Sequence, residues 1–120
     1  MLRILVVDDE KPIRQLLSRW LAAWGYEVRE AGNATDALAL LAESPASIVL
    51  CDVSMPDHDG LWLTDRIREQ WPETAVIMAS GAQDIEVIRS TRRKGAVDFV
   101  PKPFGREVLR QALLRARPAA

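Results

Sequence analysis

The chain contains only one cysteine and carries almost no net charge. Cys51 has no partner for an internal disulfide, which is typical of a protein in the reducing cytoplasm. A net charge of −1 gives no basic surface, so we expect no direct binding to nucleic acid and no attachment to a membrane. The N-terminal apolar run, residues 4–7, is too short for a signal peptide or a membrane span.

The composition that is present fits one soluble globular domain. The 120 residues are 48% hydrophobic and 28% charged, which is enough apolar sequence to build a core and enough charge to cover it. The chain has no evident internal repeat and no low-complexity segment. We therefore assign residues 1–117 to a single domain, and residues 118–120 to a tail or the start of a linker.

Short apolar segments alternate with segments of helical periodicity. The predicted strands cover residues 3–7, 26–31, 48–52, 75–79 and 98–100. A helix is predicted after each strand. The apolar stripe of the first helix extends to Trp24, and that of the third helix extends to Trp71. The fourth helix is predicted to begin at Asp84, and the last helix is predicted to include Phe104. This alternation predicts an α/β fold, a five-stranded parallel sheet in the flavodoxin-like order 2-1-3-4-5 with helices on both faces.

Polar side chains stand where four of these strands end. Asp8 and Asp9 follow the first strand, Asp52 ends the third, and Ser80 and Lys102 follow the fourth and fifth. In the predicted order the first and fourth strands flank the third, and neighbouring strands lie about 4.8 Å apart. We therefore expect these side chains to converge on one crevice at the carboxyl edge of the sheet, with the long lysine side chain crossing from one strand further away.

The chemistry of this set favours a cation and a phosphoryl group. Three neighbouring carboxylates repel one another unless a cation lies among them. Oxygen ligands without histidine or cysteine favour Mg²⁺ or a similar ion such as Mn²⁺. The Lys102 ammonium and the Ser80 hydroxyl suit phosphoryl oxygens, and Asp52 is then a candidate nucleophile that forms an aspartyl phosphate.

The whole chain resembles the receiver domains of two-component response regulators. The motifs that carry the resemblance occur in order and at strand ends: VVDDE at residues 6–10, DVSMP at 52–56 with DG at 59–60, SG at 80–81, and KPF at 102–104. The resemblance implies a cytoplasmic signalling switch rather than an enzyme with a separate substrate. Its partners would be a sensor histidine kinase or histidine phosphotransfer protein, and an output domain or downstream protein.

The resemblance also assigns roles at the acceptor. Asp52 would accept a phosphoryl group from a phosphohistidine. Asp9 and Asp52 would bind Mg²⁺ directly, together with the backbone carbonyl of Ser54, and Asp8 would act mainly through water. Lys102 would contact the bound phosphoryl group.

Other residues would communicate phosphorylation to partners. The resemblance implies that the bond from Lys102 to Pro103 is cis, that Ser80 swings toward the phosphoryl group, and that Phe99 turns inward behind it. These movements would reshape the face formed by the fourth helix, fifth strand and last helix, which is also a candidate homodimer surface. The family often has Thr at the position of Ser80, Tyr at that of Phe99 and larger side chains at that of Ser54.

Three alternative functions remain open at this point. A phosphatase of the haloacid dehalogenase type needs a D-x-D motif, whereas this chain has adjacent acids and no cap domain. A flavin-binding module needs a phosphate loop rich in Ser, Thr and Gly after the first strand, where three acids stand instead. A receiver that acts through contacts alone would not require the intact set of acids.

Several other residues have simpler interpretations. Cys51 is expected to be a buried, inert thiol on the face opposite to Asp52. His58 is expected to be exposed in a loop, with Trp62 exposed beside the site. The basic stretch at residues 89–94 is interpreted as a solvated helix face that could also take part in docking.

Overall fold

The computed structural model describes residues 2–81, 89, 93, 95, 96 and 98–116. Its elements are β1 (Arg3–Val7), α1 (Lys11–Ala23), β2 (Glu27–Ala31), α2 (Ala34–Glu43), β3 (Ile48–Asp52), α3 (Gly60–Gln70), β4 (Ala75–Ser80), β5 (Asp98–Pro101) and the C-terminal helix (Arg106–Ala116). The predicted start of the fourth helix, at Asp84, lies outside the described residues. No helix in the described part of the chain is long and apolar enough to cross a membrane.

The strands form one parallel sheet in the order β2-β1-β3-β4-β5, so the predicted topology is confirmed. All five residues of β3 are buried, because strands flank it on both sides and helices cover both faces. β2 forms one edge and is only partly buried. Asp52 therefore stands at the end of the central strand, at the switch point where connections diverge to opposite faces.

One apolar cluster lies on each face of the sheet. Leu50 belongs to the cluster shared with α1 and the C-terminal helix, whereas Cys51 belongs to the cluster shared with α2 and α3. Because successive strand residues point to opposite faces, Cys51 faces away from Asp52, as predicted. Burial raises the pKa of the Cys51 thiol above its ordinary value, so the group stays neutral. A neutral, buried thiol packs as a small apolar side chain.

Three helix boundaries differ from the sequence prediction. Trp24 is the C-cap of α1, because Gly25 follows it with φ of 93° and leads the chain out of the helix. Trp71 is likewise the C-cap of α3, because Pro72 disfavours helical backbone at the preceding residue. Phe104 lies before the C-terminal helix rather than in it. All three aromatic rings still pack against the two apolar clusters.

The start of α3 packs directly against the end of β3. A Cβ atom on Gly60 would lie 2.4 Å from the backbone oxygen of Asp52 and 2.6 Å from Cε of Met78. The Gly60 N–H donates to the Val53 carbonyl over 2.7 Å. Only a residue without a side chain permits this approach, so Gly60 fixes the position of α3 relative to the end of β3.

We expect Gly60→Ala to lower the free energy of unfolding by about 1–3 kcal/mol, because the added methyl group overpacks a buried contact. Gly105→Ala is the matched control, since a Cβ atom there meets nothing within 4 Å. Urea denaturation of both variants measures the difference. Equal midpoints for the two variants would contradict the tight contact at Gly60.

Candidate functional site

Asp52 is the last residue of β3 and only 8% of its surface is exposed. Its Oδ1 accepts the Ser54 N–H over 3.2 Å, and its Oδ2 lies 3.2 Å from Nζ of Lys102. Burial raises the pKa of the Asp52 carboxyl above its ordinary value, although attraction to the Lys102 ammonium opposes this change. The carboxylate is therefore costly to keep ionised and depends on the neighbouring positive charge.

Lys102 joins two strand ends across the sheet edge. Its Nζ lies 2.7 Å from Oδ2 of Asp8 and 3.2 Å from Oδ2 of Asp52, and its backbone N–H donates to the Ser80 carbonyl over 2.6 Å. Burial opposes the charge on this lysine, but the hydrogen bond to Asp8 and the attraction of Asp52 raise the pKa of Lys102. The predicted crossing of its side chain is confirmed, and the predicted cis bond to Pro103 is present.

The acids after β1 form a compact group of oxygen ligands. One carboxylate oxygen from each of Asp8, Asp9 and Glu10 lies within 4.8 Å of the others. Asp8 is 2% exposed, whereas Asp9 and Glu10 are exposed. Oδ1 of Asp8 accepts the Glu10 N–H over 2.9 Å, and the Arg14 guanidinium donates to the Asp8 carbonyl over 2.8 Å. Three hard oxygen donors without a nitrogen or sulfur ligand fit Mg²⁺ or Mn²⁺.

Glu10 also belongs to this group of oxygen ligands, although the sequence pattern did not indicate it as a candidate site residue. The signal was present in the VVDDE motif, since Glu10 follows Asp9 directly. Its contribution depends on the turn between β1 and α1, where the Glu10 N–H folds back onto Asp8. Side-chain direction in such a turn does not follow from strand alternation, which is why residue spacing alone did not indicate it.

Ser80 and Phe99 lie on adjacent strands. Ser80 ends β4 and is 7% exposed, and Phe99 is half-buried in β5. Phe99 is the register partner of Met78, two residues before Ser80, so Ser80 and Phe99 point to the same face of the sheet. That face carries α2 and α3, and Phe99 packs against its apolar cluster. The two predicted switch residues thus lie on adjacent strands and on the same face of the sheet.

Two aromatic rings stack in and beside the loop after β3. The ring of His58 stacks on that of Trp62 with centroids 3.8 Å apart, and the Arg66 guanidinium lies 5.4 Å from the Trp62 centroid. His58 is exposed, as predicted, but Trp62 is half-buried rather than exposed. Trp62 is partly covered because the His58 ring stacks on its indole and because the indole packs against the apolar cluster shared with α2 and α3.

The basic stretch after β4 is described only in part. Arg89 and Arg93 are exposed, as expected for a solvated face, whereas residues 92 and 94 lie outside the described residues.

The sequence matches the family model for the response regulator receiver domain over residues 4–114. One relative is the DNA-binding transcriptional regulator NtrC of Azospirillum brasilense, which is 35% identical over 94% of this chain and 24% of the relative. Regulatory protein AtoC of Escherichia coli is 37% identical over 95% of this chain and 25% of the relative. The chain therefore spans about a quarter of the length of these curated relatives.

Two solved structures match over nearly their full length. The receiver domain of NtrX from Brucella abortus is 42% identical, with a TM-score of 0.89 over 94% of this chain and 96% of that one. The chemotaxis protein CheY4 of Vibrio cholerae is 31% identical, with a TM-score of 0.92 over 97% of this chain and 98% of that one. These similarities agree with the strand order of the sheet.

The raised pKa of Asp52 predicts the effect of neutralising this carboxyl. Because the folded protein holds the Asp52 proton more tightly than the unfolded chain, stability falls as pH rises from the ordinary value of 3.8 through the raised pKa. We expect Asp52→Asn to raise the melting temperature at neutral pH in buffer with a metal chelator, because Lys102 keeps its contact with Asp8. The gain should disappear below the ordinary pKa. Thermal denaturation followed by circular dichroism tests this, and a lower melting temperature at neutral pH would contradict it.

Proposed function

Because this chain belongs to the response regulator receiver domain family, we propose that it is a phosphorylation-activated signalling switch with Asp52 as the phosphoacceptor. The observation that carries the proposal is the contact of one ammonium group, Lys102 Nζ, with the carboxylates of Asp8 and Asp52. A cation held at a buried carboxylate is the arrangement that favours transfer of a negatively charged group to that carboxylate.

The phosphoryl donor in the proposal is a phosphohistidine of a sensor histidine kinase or a histidine phosphotransfer protein. A carboxylate oxygen of Asp52 attacks the phosphorus atom, a P–O bond forms, and the P–N bond to the histidine breaks. The electron pair of that bond returns to the imidazole ring, which leaves as the neutral base once it is protonated. The Ser54 N–H on Oδ1 and the Lys102 ammonium near Oδ2 hold the carboxylate in a fixed orientation for this attack.

The residues present also fit a bound Mg²⁺ or Mn²⁺ ion. Asp9, Asp52 and the Ser54 backbone carbonyl would hold it, with Asp8 acting mainly through water. Glu10 belongs with Asp8 and Asp9 to one group of carboxylate oxygens. When bound, such an ion neutralises negative charge on phosphoryl oxygens. The same acids that would bind the cation repel a bare phosphate, so the proposal predicts that phosphorylation depends on the divalent ion.

Phosphorylation would alter the contacts of Lys102 and Ser80. The ammonium of Lys102 would donate to the phosphoryl oxygens, and the Ser80 hydroxyl would turn toward them. Because Ser80 and Phe99 point to the same face, movement of Ser80 would change the packing of the Phe99 ring. The signal would then reach the face that includes β5 and the C-terminal helix, where an output domain, a downstream protein or a second copy of the chain would bind.

Incubation with Mg²⁺ and acetyl phosphate, followed by intact mass measurement, tests the proposal. We expect the wild type to gain one phosphoryl group, and we expect no gain without Mg²⁺ or in Asp52→Asn, because the nucleophile is then missing. Asp36→Asn is the matched control, since it neutralises an acid in the first turn of α2 and should be phosphorylated like the wild type. If the wild type gains no mass from acetyl phosphate or from a phosphohistidine donor, the proposal fails.

A further inference from the structure

Asp57 joins the loop after β3 to a helix that is distant in sequence. Its Oδ1 accepts the Ala34 N–H over 3.1 Å, and its Oδ2 accepts the Thr35 N–H over 2.9 Å and the Thr35 hydroxyl over 2.7 Å. These donors belong to the first turn of α2, whose first amides have no partner within the helix. One carboxylate therefore satisfies two backbone N–H groups and a hydroxyl at the start of α2.

The helix already has a cap of its own. The side chain of Asn33 accepts the Asp36 N–H over 2.8 Å, which satisfies the third amide of α2 locally. Asp57 accepts the N–H groups of the first two helical residues, Thr35 and Ala34, which lie 22 and 23 residues away from it in the sequence. Desolvation opposes its ionisation, but the Thr35 hydroxyl and the backbone donors hold the pKa of Asp57 well below its ordinary value. The carboxylate is thus charged at neutral pH and makes charge-assisted hydrogen bonds.

The two residues after Asp57 attach the same loop to α3. The His58 ring stacks on Trp62, and Oδ1 of Asp59 accepts the Trp62 N–H over 2.8 Å. Residues 57–59 are therefore tied to the starts of two different helices. At the other end of the loop, the Ser54 N–H donates to Oδ1 of Asp52.

The segment between these attachments is short and restricted. Only Met55 and Pro56 separate Ser54 from Asp57, and the proline ring fixes one of the backbone dihedral angles. A displacement of Asp57 from α2 is therefore transmitted to the Ser54 backbone, because few rotatable bonds can absorb it.

We propose that Asp57 is a positioning residue that holds the loop against α2 so that the Ser54 backbone stays oriented toward Asp52. The proposal rests on the function proposed above, in which the Ser54 carbonyl and the Asp52 carboxylate bind the divalent ion and Asp52 accepts the phosphoryl group. Loss of the contact detaches the loop from α2, while its attachment to α3, the sheet, Asp8 and Lys102 keep their places. Metal affinity and phosphorylation rate then fall although the fold is retained.

A purely structural role would confine Asp57 to stabilising α2. Asp36 provides a matched control for that role, because it is also an acid at the first turn of α2 and accepts a hydrogen bond from the Asn33 side chain over 3.1 Å. Asp36→Ala removes the same charge from the same helix end, but in the described part of the chain the hydrogen bonds that Asp36 makes outside the helix are with Asn33, not with the loop after β3. Asp57→Asn is the conservative variant, since it keeps one of the two acceptor oxygens.

The first experiment measures hydrogen exchange of individual backbone amides by NMR in the full chain without metal. In Asp57→Ala we expect faster exchange at Thr35 and also at Ser54, with an intermediate rate at Ser54 in Asp57→Asn. In Asp36→Ala we expect the exchange rate at Ser54 to equal that of the wild type. A Mg²⁺ titration followed by the same amide signals should show affinity about tenfold weaker in Asp57→Ala and unchanged in Asp36→Ala.

Two results would overturn the positioning role. One is faster exchange at Thr35 in Asp57→Ala with no change at Ser54, which would limit Asp57 to stabilising α2. The other is an equal loss of Ser54 protection in Asp57→Ala and Asp36→Ala. A wild type that takes up no phosphoryl group would instead refute the proposed function, and the exchange rate at Ser54 would still decide whether Asp57 positions the loop.

Discussion

The ammonium group of Lys102 is the interaction on which the rest of the site depends. Asp8 and Asp52 end neighbouring parallel strands and are almost completely buried, so their carboxylates cannot both be charged without a nearby cation. Lys102 supplies that cation from β5, two strands away from β3. The ammonium therefore ties the first, third and fifth strands together at one edge. A phosphoryl group on Asp52 would offer the same ammonium more negative charge, and the contacts that hold the strand ends would then change. In the proposed function, the Lys102 side chain would thus contribute both to structural restraint and to signalling.

The surroundings of Asp52 limit how its contacts can move. Gly60 brings the start of α3 against the Asp52 backbone, and the Cys51 thiol donates to the Asp52 carbonyl over 3.3 Å on the buried side. On the exposed side, the loop after β3 is held at Asp57 by the start of α2. A close-packed site of this kind changes between discrete arrangements rather than deforming smoothly. Its least buried parts are the loop residues 54–59, apart from the half-buried Met55, and the acids Asp9 and Glu10.

The topology and the positions of Asp8, Asp52, Ser80 and Lys102 could be predicted from the sequence, because continuous apolar runs and parallel strands leave few alternatives. The strand pattern also predicted the opposite directions of Cys51 and Asp52. The contacts of individual side chains could not be predicted in the same way. In α3, Leu63 is buried together with Gly60, Thr64 and Ile67, whereas Leu61 is half-buried. The contact of Lys102 with Asp8 joins residues 94 positions apart, and the capping of α2 by Asp57 depends on a loop without regular periodicity. The strand order predicted that the Lys102 side chain would cross to the acids, but not that its ammonium would lie nearer to Asp8 than to Asp52. The spacing of residues along the chain carries no signal for the Asp57 contact, which depends on the turns of the loop.

The most direct test of the account locates the phosphoryl group on the chain. After phosphorylation, reduction with borohydride converts an aspartyl phosphate into homoserine. Trypsin then cleaves after Arg29 and after Arg66, and fragmentation of the resulting peptide distinguishes the aspartates within it. The account predicts homoserine at position 52 and unmodified aspartate at positions 36, 57, 59 and 65. Homoserine at Asp57 or Asp59, or in the peptide that contains Asp8 and Asp9, would contradict it. In that case the buried carboxylate held by Lys102 would be a structural ion pair and the acceptor would lie elsewhere.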